Sequence, residues 1–149
     1  MVRVENLTIY FKKDKVVGPL NNIFDIDLHL ITGKNGCGKS TFLNAIYGRH
    51  LNYTGNIVLK EDPVFLPHKG YLPGKLTVKE FINYQTALHN NTFNLCIKYL
   101  EDLMDLPIEY LSSGQIQRLS LFYVMDLDSK ILLLDEPFSN MDEEYTKIF

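Results

Sequence analysis

The chain has 149 residues, with 15 Lys and Arg against 18 Asp and Glu for a formal charge of −3, and it is 46% apolar and 22% charged. These values exclude a disordered, collagenous or disulfide-built chain, and the acidic balance gives no support for nucleic-acid binding. The length predicts one domain large enough to bury a real core. Cys37 and Cys96 sit far apart without metal-ligand or disulfide spacing, which fits a reducing compartment.

The stretch from Met1 to Asp14 mixes charged and apolar residues and lacks the apolar block of a signal peptide. No stretch approaches the roughly 18 apolar residues of a membrane span. The expectation is a soluble chain, or one that meets a membrane through a partner. Val2 to Phe11 reads as a strand and Lys12 to Lys15 as a charged turn. Ile26, Leu28 and Leu30 alternate with Asp25, Asp27 and His29, the period of a strand with one drier face, and this strand runs into Gly33. Ser40 to Arg49 reads as a helix with Phe42, Leu43 and Ile46 on one side. Asn52 to Gly55 is a turn, and Ile57 to Leu59 a short strand.

Prolines and glycines punctuate the middle, around a short buried-strand candidate at Val64 to Leu66. Thr77 is a plausible N-cap with Glu80 completing a capping box, so a helix is expected from Val78 to about His89. A second helix spans roughly Phe93 to Met104, and Ser112 or Ser113 opens a third that reaches about Met125. Ile131 to Leu134 is wholly apolar, which suits a parallel strand buried on both faces. Strands and helices alternate at both ends, with helices between: an α/β chain with a helical insertion over about 74–125.

Gly33-Lys34-Asn35-Gly36-Cys37-Gly38-Lys39-Ser40 fits the phosphate-loop pattern at every fixed position, and Thr41 follows in the same turn. The glycines let the backbone turn sharply and aim its N–H groups inward as an anion nest. The following helix adds its positive end, Lys39 reaches the β- and γ-phosphates, and the Ser40 hydroxyl ligates Mg²⁺. Asp135 and Glu136 close the last apolar strand, where a parallel sheet faces its ligand crevice. Asp135 is expected to orient Mg²⁺ through its waters, and Glu136 to polarise the water that attacks the γ-phosphate of ATP.

Leu111-Ser112-Ser113-Gly114-Gln115, Gln117-Arg118, Leu134-Asp135-Glu136-Pro137 and Ser139-Asn140-Met141-Asp142 follow in that order. This order resembles the ATP-binding-cassette (ABC) ATPases, with Ser113 departing from their usual Leu-Ser-Gly-Gly-Gln signature. The resemblance implies a P-loop cassette with a central, mostly parallel sheet, an antiparallel N-terminal β part and a helical subdomain. It implies head-to-tail homodimers in which each ATP lies between one phosphate loop and the partner's Ser112 to Gln115, with Asp142 in the D-loop. Tyr10 or Phe11 would stack on adenine.

Where the family carries a metal-contacting glutamine, this chain has Phe65-Leu66-Pro67-His68-Lys69-Gly70, and His68 stands at or next to that place. The stretch from His68 through Leu76-Thr77-Val78 resembles the cytochrome c maturation haem-exporter ATPases (CcmA-type). That implies a peripheral protein on the cytoplasmic side of an inner membrane, or the equivalent organelle face, paired with a multi-span membrane subunit. Family members continue past the D-loop to a switch histidine, whereas His29, His50, His68 and His89 all precede Asp135. The switch region is thus expected to be absent, in a fragment of a longer protein or in a truncated cassette. The alternatives are a nucleotide-binding module without turnover and the ATPase subunit of another small exporter.

Overall fold

The computed structural model describes residues 1–68, 72–141 and 143–147. The chain divides into two compact units, Met1–Phe65 with Ser129–Asp135, and Leu66–Asp128 with Glu136–Phe149.

The first unit opens with β1 (Val2–Phe11) and β2 (Asp14–Phe24), continues through α1 (Lys39–Tyr47), β3 (Tyr53–Leu59) and β4 (Val64–Leu66), and regains the chain at β5 (Leu132–Leu134). An antiparallel sheet has the order β2-β1-β3. Its central strand is irregular at Asn6, which has a φ of 48°. A Cβ on Gly18 would strike the Leu7 carbonyl, and one on Gly55 the carbonyls of Glu5 and Asn6. The flanking strands therefore carry glycine where the bulge crowds them. Gly55 lies within β3, so the expected turn at Asn52 to Gly55 is mostly strand. A second, parallel sheet pairs β4 with β5. Leu7, Ile9, Phe42, Ile46 and Leu133 form the core of this unit. The fold is thus the expected one, α/β with an antiparallel N-terminal β part.

Two further expectations fail in this unit. Residues 25–35 form no strand, and Ile26, Leu28 and Leu30 are 95%, 91% and 85% exposed. Among the described residues no strand pairs with this segment, so its alternation has no ladder to settle into. Asp27 instead accepts from the Leu28 N–H at 2.7 Å, the local competition that short acidic side chains offer. Leu133 in β5 and Ile131 just before it are buried but Leu132 is 37% exposed, so this strand is dry on one face rather than two.

The second unit contains α2 (Val78–His89), α3 (Asn94–Tyr99), α4 (Ser113–Asp126) and α5 (Glu143–Thr146), with 3₁₀ turns at Glu101–Leu103 and Ile108–Tyr110. Thr77 caps α2 in the expected box with Glu80. The expected helix from Phe93 to Met104 breaks at Leu100, whose φ of −123° is not helical. The six-residue α3 has no side-chain cap of its own. Asp126, at the end of α4, accepts from the N–H groups of Leu95 and Cys96 at 3.0 and 2.9 Å instead. Val78, Phe81, Phe93, Leu119 and Phe122 form the core, with Phe93 stacked on Tyr123 and Tyr99 on Phe122. Truncating Phe122 to Ala would cost about 3–5 kcal/mol. Among the described residues no helix is long and apolar enough to cross a membrane.

Candidate functional site

The first unit builds the phosphate loop. Gly36 and Gly38 take φ values of 79° and 100°, the left-handed region that lets successive N–H groups turn to one side. A Cβ on Gly38 would also lie 2.5 Å from a Val17 methyl, so the loop cannot carry a side chain there. Gly38 is the N-cap of α1 and no side chain caps that helix, which leaves its first N–H groups for an anion. Lys39 Nζ donates to the carbonyls of Gly33 and Lys34 at 3.0 and 3.3 Å. The ammonium is thus held across the mouth of the loop. Asn35 and Cys37 are exposed, and Thr41 is half-buried beside the apolar Phe42.

Ser40 Oγ donates to Asp135 Oδ1 at 3.0 Å, and Asp135 is buried. The two expected metal ligands, 95 residues apart in sequence, therefore meet. Their donor set is oxygen only, one hydroxyl and one carboxylate, which suits a hard divalent cation that keeps waters and phosphate oxygens as its other ligands. Among the described residues no cluster of three or more His, Cys, Asp or Glu could hold a metal.

At the end of β1, the Tyr10 N–H donates to the Asn52 carbonyl at 2.9 Å and the His50 Nε2 lies 2.8 Å from the Tyr10 carbonyl, while Phe11 is 61% exposed.

The second unit holds the remaining residues. Ser112 is the N-cap of α4, its Oγ accepting from the Gln115 N–H at 3.2 Å while the Gln115 side chain accepts from the Ser112 N–H at 2.8 Å. Accepting that bond leaves the hydroxyl hydrogen of Ser112 able to donate outward. Ser113 is exposed and Gly114 half-buried.

Glu136 has a φ of 52°, and the turn it opens is closed by Ser139, whose N–H and Oγ both reach the Glu136 carbonyl, at 3.1 and 2.9 Å. His68 Nδ1 lies 3.3 Å from Glu136 Oε2. Asp142 lies outside the described residues.

Sequence reasoning missed Gln117 and Ser139 as parts of this turn. Gln117 is buried, and its amide donates to the Pro137 carbonyl at 3.0 Å. A Gln inside an apolar helical stripe was the available signal, since a buried amide needs a partner.

The ABC transporter family model matches residues 22–139, more than half of the chain. The cytochrome c biogenesis ATP-binding export protein CcmA of Gluconobacter oxydans is 31% identical over 145 residues, covering 95% of this chain and 69% of that protein. The zinc import ATP-binding protein ZnuC of Ehrlichia chaffeensis is 29% identical over 157 residues, covering 95% of this chain and 62% of that protein. A solved ATP-binding subunit of an ABC transporter shares the fold, with a TM-score of 0.84 at 19% identity over 98% of this chain and 70% of that one.

Proposed function

Because the chain belongs to the ABC transporter ATP-binding family, we propose that it binds and hydrolyses ATP to power a membrane transport complex. The observation that carries this is the Ser40–Asp135 contact at 3.0 Å, next to a lysine held across a glycine loop. Both are groups that ATP chemistry requires, and both lie in one compact unit. Family members are ATPases coupled to transport.

In this reading the loop N–H groups and Lys39 bind the β- and γ-phosphates, and the exposed ring of Phe11 stacks on adenine. Ser40 and Asp135 hold Mg²⁺, which when bound neutralises phosphate charge. Glu136 accepts a proton from the attacking water. Ser112 Oγ and the Gly114 N–H donate to the γ-phosphate bound by a second copy, so ATP joins two chains head to tail and hydrolysis parts them. The membrane partner is a multi-span subunit, and the chain works peripherally on the cytoplasmic face. Within the family we place it with haem exporters of the cytochrome c maturation type. The His68 to Val78 stretch supports this, as does the similarity to CcmA. Similarity of comparable identity to a zinc importer supports a reading in which the membrane subunit, not this chain, carries substrate choice.

The test is Glu136→Gln in the full chain. Mg-ATP should bind with unchanged affinity, trap a dimer on size exclusion, and release phosphate at least 100-fold more slowly than the unsubstituted chain. Unchanged phosphate release would remove Glu136 from its role. Binding without turnover in the unsubstituted chain would leave a nucleotide-binding module.

A further inference from the structure

We infer that His50, in the turn after α1, is a positioning residue for nucleobase binding, because it ties the backbone that carries Phe11 to the helix that carries the phosphate loop. The inference deepens the ATP-binding reading above and rests on it.

β1 pairs with β3 as far as Ile9 and Tyr53. Beyond that pair the backbone adds one bond, from the Tyr10 N–H to the Asn52 carbonyl at 2.9 Å. Side chains then supply two more donors. His50 Nε2 lies 2.8 Å from the Tyr10 carbonyl, and Asn52 Nδ2 donates to the Lys12 carbonyl at 2.9 Å. A carbonyl oxygen only accepts, so the hydrogen of the neutral imidazole sits on Nε2, and the protonated ring keeps it there. His50 therefore donates in both states. The two held carbonyls bracket Phe11: that of Tyr10 belongs to the peptide leading into it, and Lys12 follows it with a φ of 56°.

The turn that carries His50 is itself fixed to the phosphate loop. Gly38 opens α1, and Gly48 ends it with a φ of 85° and an N–H returned to the Ala45 carbonyl at 3.1 Å. The N–H groups of Arg49 and His50 donate to the Asn44 carbonyl at 2.9 and 3.1 Å, and the Asn44 amide donates to the Ser40 carbonyl at 2.7 Å. A relay of hydrogen bonds thus runs from Ser40 along α1 to the strand end at Tyr10. A ring that is 61% exposed gains little hold from packing, so its place relative to the triphosphate is set by the backbone it stands on. His50 references that backbone to α1. A base then stacks on a ring already in place, without the cost of ordering it on binding. The phosphates, bound by the loop N–H groups and Lys39, do not need His50.

The test compares Mg-ATP with Mg-tripolyphosphate, which has the phosphates and no base, by titration calorimetry on the full chain. His50→Ala should bind Mg-ATP about 3- to 10-fold more weakly, the worth of one hydrogen bond, and bind Mg-tripolyphosphate as the unsubstituted chain does. His50→Gln carries an amide nitrogen at about the reach of Nε2 and should recover most of the ATP affinity. His50→Asn, whose amide lies nearer the ring's Nδ1, should not. In a Phe11→Ala chain, His50→Ala should add no further loss, since the ring it positions is gone. Independently of binding, the ¹⁵N spectrum should place the His50 hydrogen on Nε2. Equal losses for the two ligands overturn the inference, and so does an unchanged ATP affinity in His50→Ala, a full additional loss in the Phe11→Ala chain, or a hydrogen on Nδ1. The selective loss in a chain that releases no phosphate overturns the hydrolytic reading and leaves the role of His50 supported. An unsubstituted chain that binds neither ligand overturns both.

Discussion

The buried amide of Gln117 on α4 donates to the Pro137 carbonyl at 3.0 Å. One turn earlier on the same helix, a Cβ on Gly114 would fall on the Asn140 carbonyl. The helix that begins at Ser112 therefore grips the segment after Glu136 at both ends. Gln117→Leu keeps the volume and removes the donor, which strands a carbonyl. It is expected to lower stability by about 1–2 kcal/mol. Urea denaturation measures the loss, and a midpoint equal to that of the unsubstituted chain would show that the bond holds nothing.

Gly114→Ala separates close packing from helix propensity. Ala is favoured over Gly in a helix interior by up to about 1 kcal/mol. Here the added methyl meets backbone, and backbone cannot swing aside as a long side chain can. A net loss of about 1–3 kcal/mol is expected. Gly74→Ala is the control, since a Cβ there meets Glu109 Cβ at an ordinary 3.4 Å. It should be neutral or gain a few tenths of a kcal/mol through the unfolded chain. Equal midpoints for the two variants would refute the packing argument.

Local chemistry made most elements legible. Val2–Phe11, Val64–Leu66 and Val78–His89 stand where their composition and caps put them. So does the meeting of Ser40 and Asp135, because the phosphate-loop pattern carries its own chemistry. β2 was not legible: its Gly-Pro and paired Asn residues suppress the strand signal, and only pairing with β1 makes it a strand. The Ile26 to Leu30 alternation misled for the opposite reason, a strong local pattern without a described ladder partner. The His68–Glu136–Ser139 contact spans 71 residues and depends on a left-handed residue, which no spacing rule encodes.

The two cysteines should differ sharply in reactivity. Cys37 is exposed within the phosphate loop, and Cys96 is fully buried. Burial first, then the Asp126 carboxylate, pushes the Cys96 thiol well above its ordinary range. Iodoacetamide at pH 8 should label Cys37 alone in the folded chain, and Mg-ATP should slow that labelling at least tenfold. Equal labelling with and without Mg-ATP would count against the loop as the ATP site. The raised Cys96 also sets a pH trend. The folded chain holds this proton more tightly, so the contribution is intact below the unfolded thiol's pKa of about 8.5 and is lost as pH rises beyond it. Tyr123, raised by burial and then by Cys96, acts in the same direction at higher pH. Stability should decline above pH 9, less steeply in Cys96→Ala.

Arg118 and Asp102 should respond unequally to removal. The Arg118 side chain is 5% exposed, and its guanidinium pairs with Asp102 at 2.7 Å and lies 4.1 Å from the Tyr145 ring centre, while the Asp102 side chain is 58% exposed. Arg118 Nε has no partner among the described residues. Asp102→Ala strands a buried charge. Breaking a buried pair costs 3–5 kcal/mol, but water reaches Asp102's side, so about 1–3 kcal/mol is expected. Arg118→Met replaces the cation with an apolar side chain of similar length and leaves Asp102 to solvent, so its cost should be smaller. Urea denaturation decides, and the reverse order would mean that the pair stabilises beyond its desolvation.

The two capping boxes provide a matched pair of variants. Thr77→Ala and Ser112→Ala each remove a side chain that caps a helix, α2 and α4. Each should lose about 1 kcal/mol of stability. Only Ser112 is proposed to donate to a γ-phosphate, so only Ser112→Ala should lose ATP-dependent dimerisation by light scattering. The boxes also differ in pH response. Hydrogen bonds from the Thr77 N–H and hydroxyl hold Glu80 below its ordinary value, whereas Gln115 does not titrate. The folded state releases the Glu80 proton more readily, so that contribution is present above the ordinary glutamate pKa of about 4.3 and is lost as pH falls through the lowered value. Hydrogen exchange at the first turn of α2 should therefore quicken, relative to α4, below pH 4, and the difference should vanish in Glu80→Gln. Dimerisation that survives equally in Thr77→Ala and Ser112→Ala would take Ser112 out of the phosphate contact and leave it a helix cap.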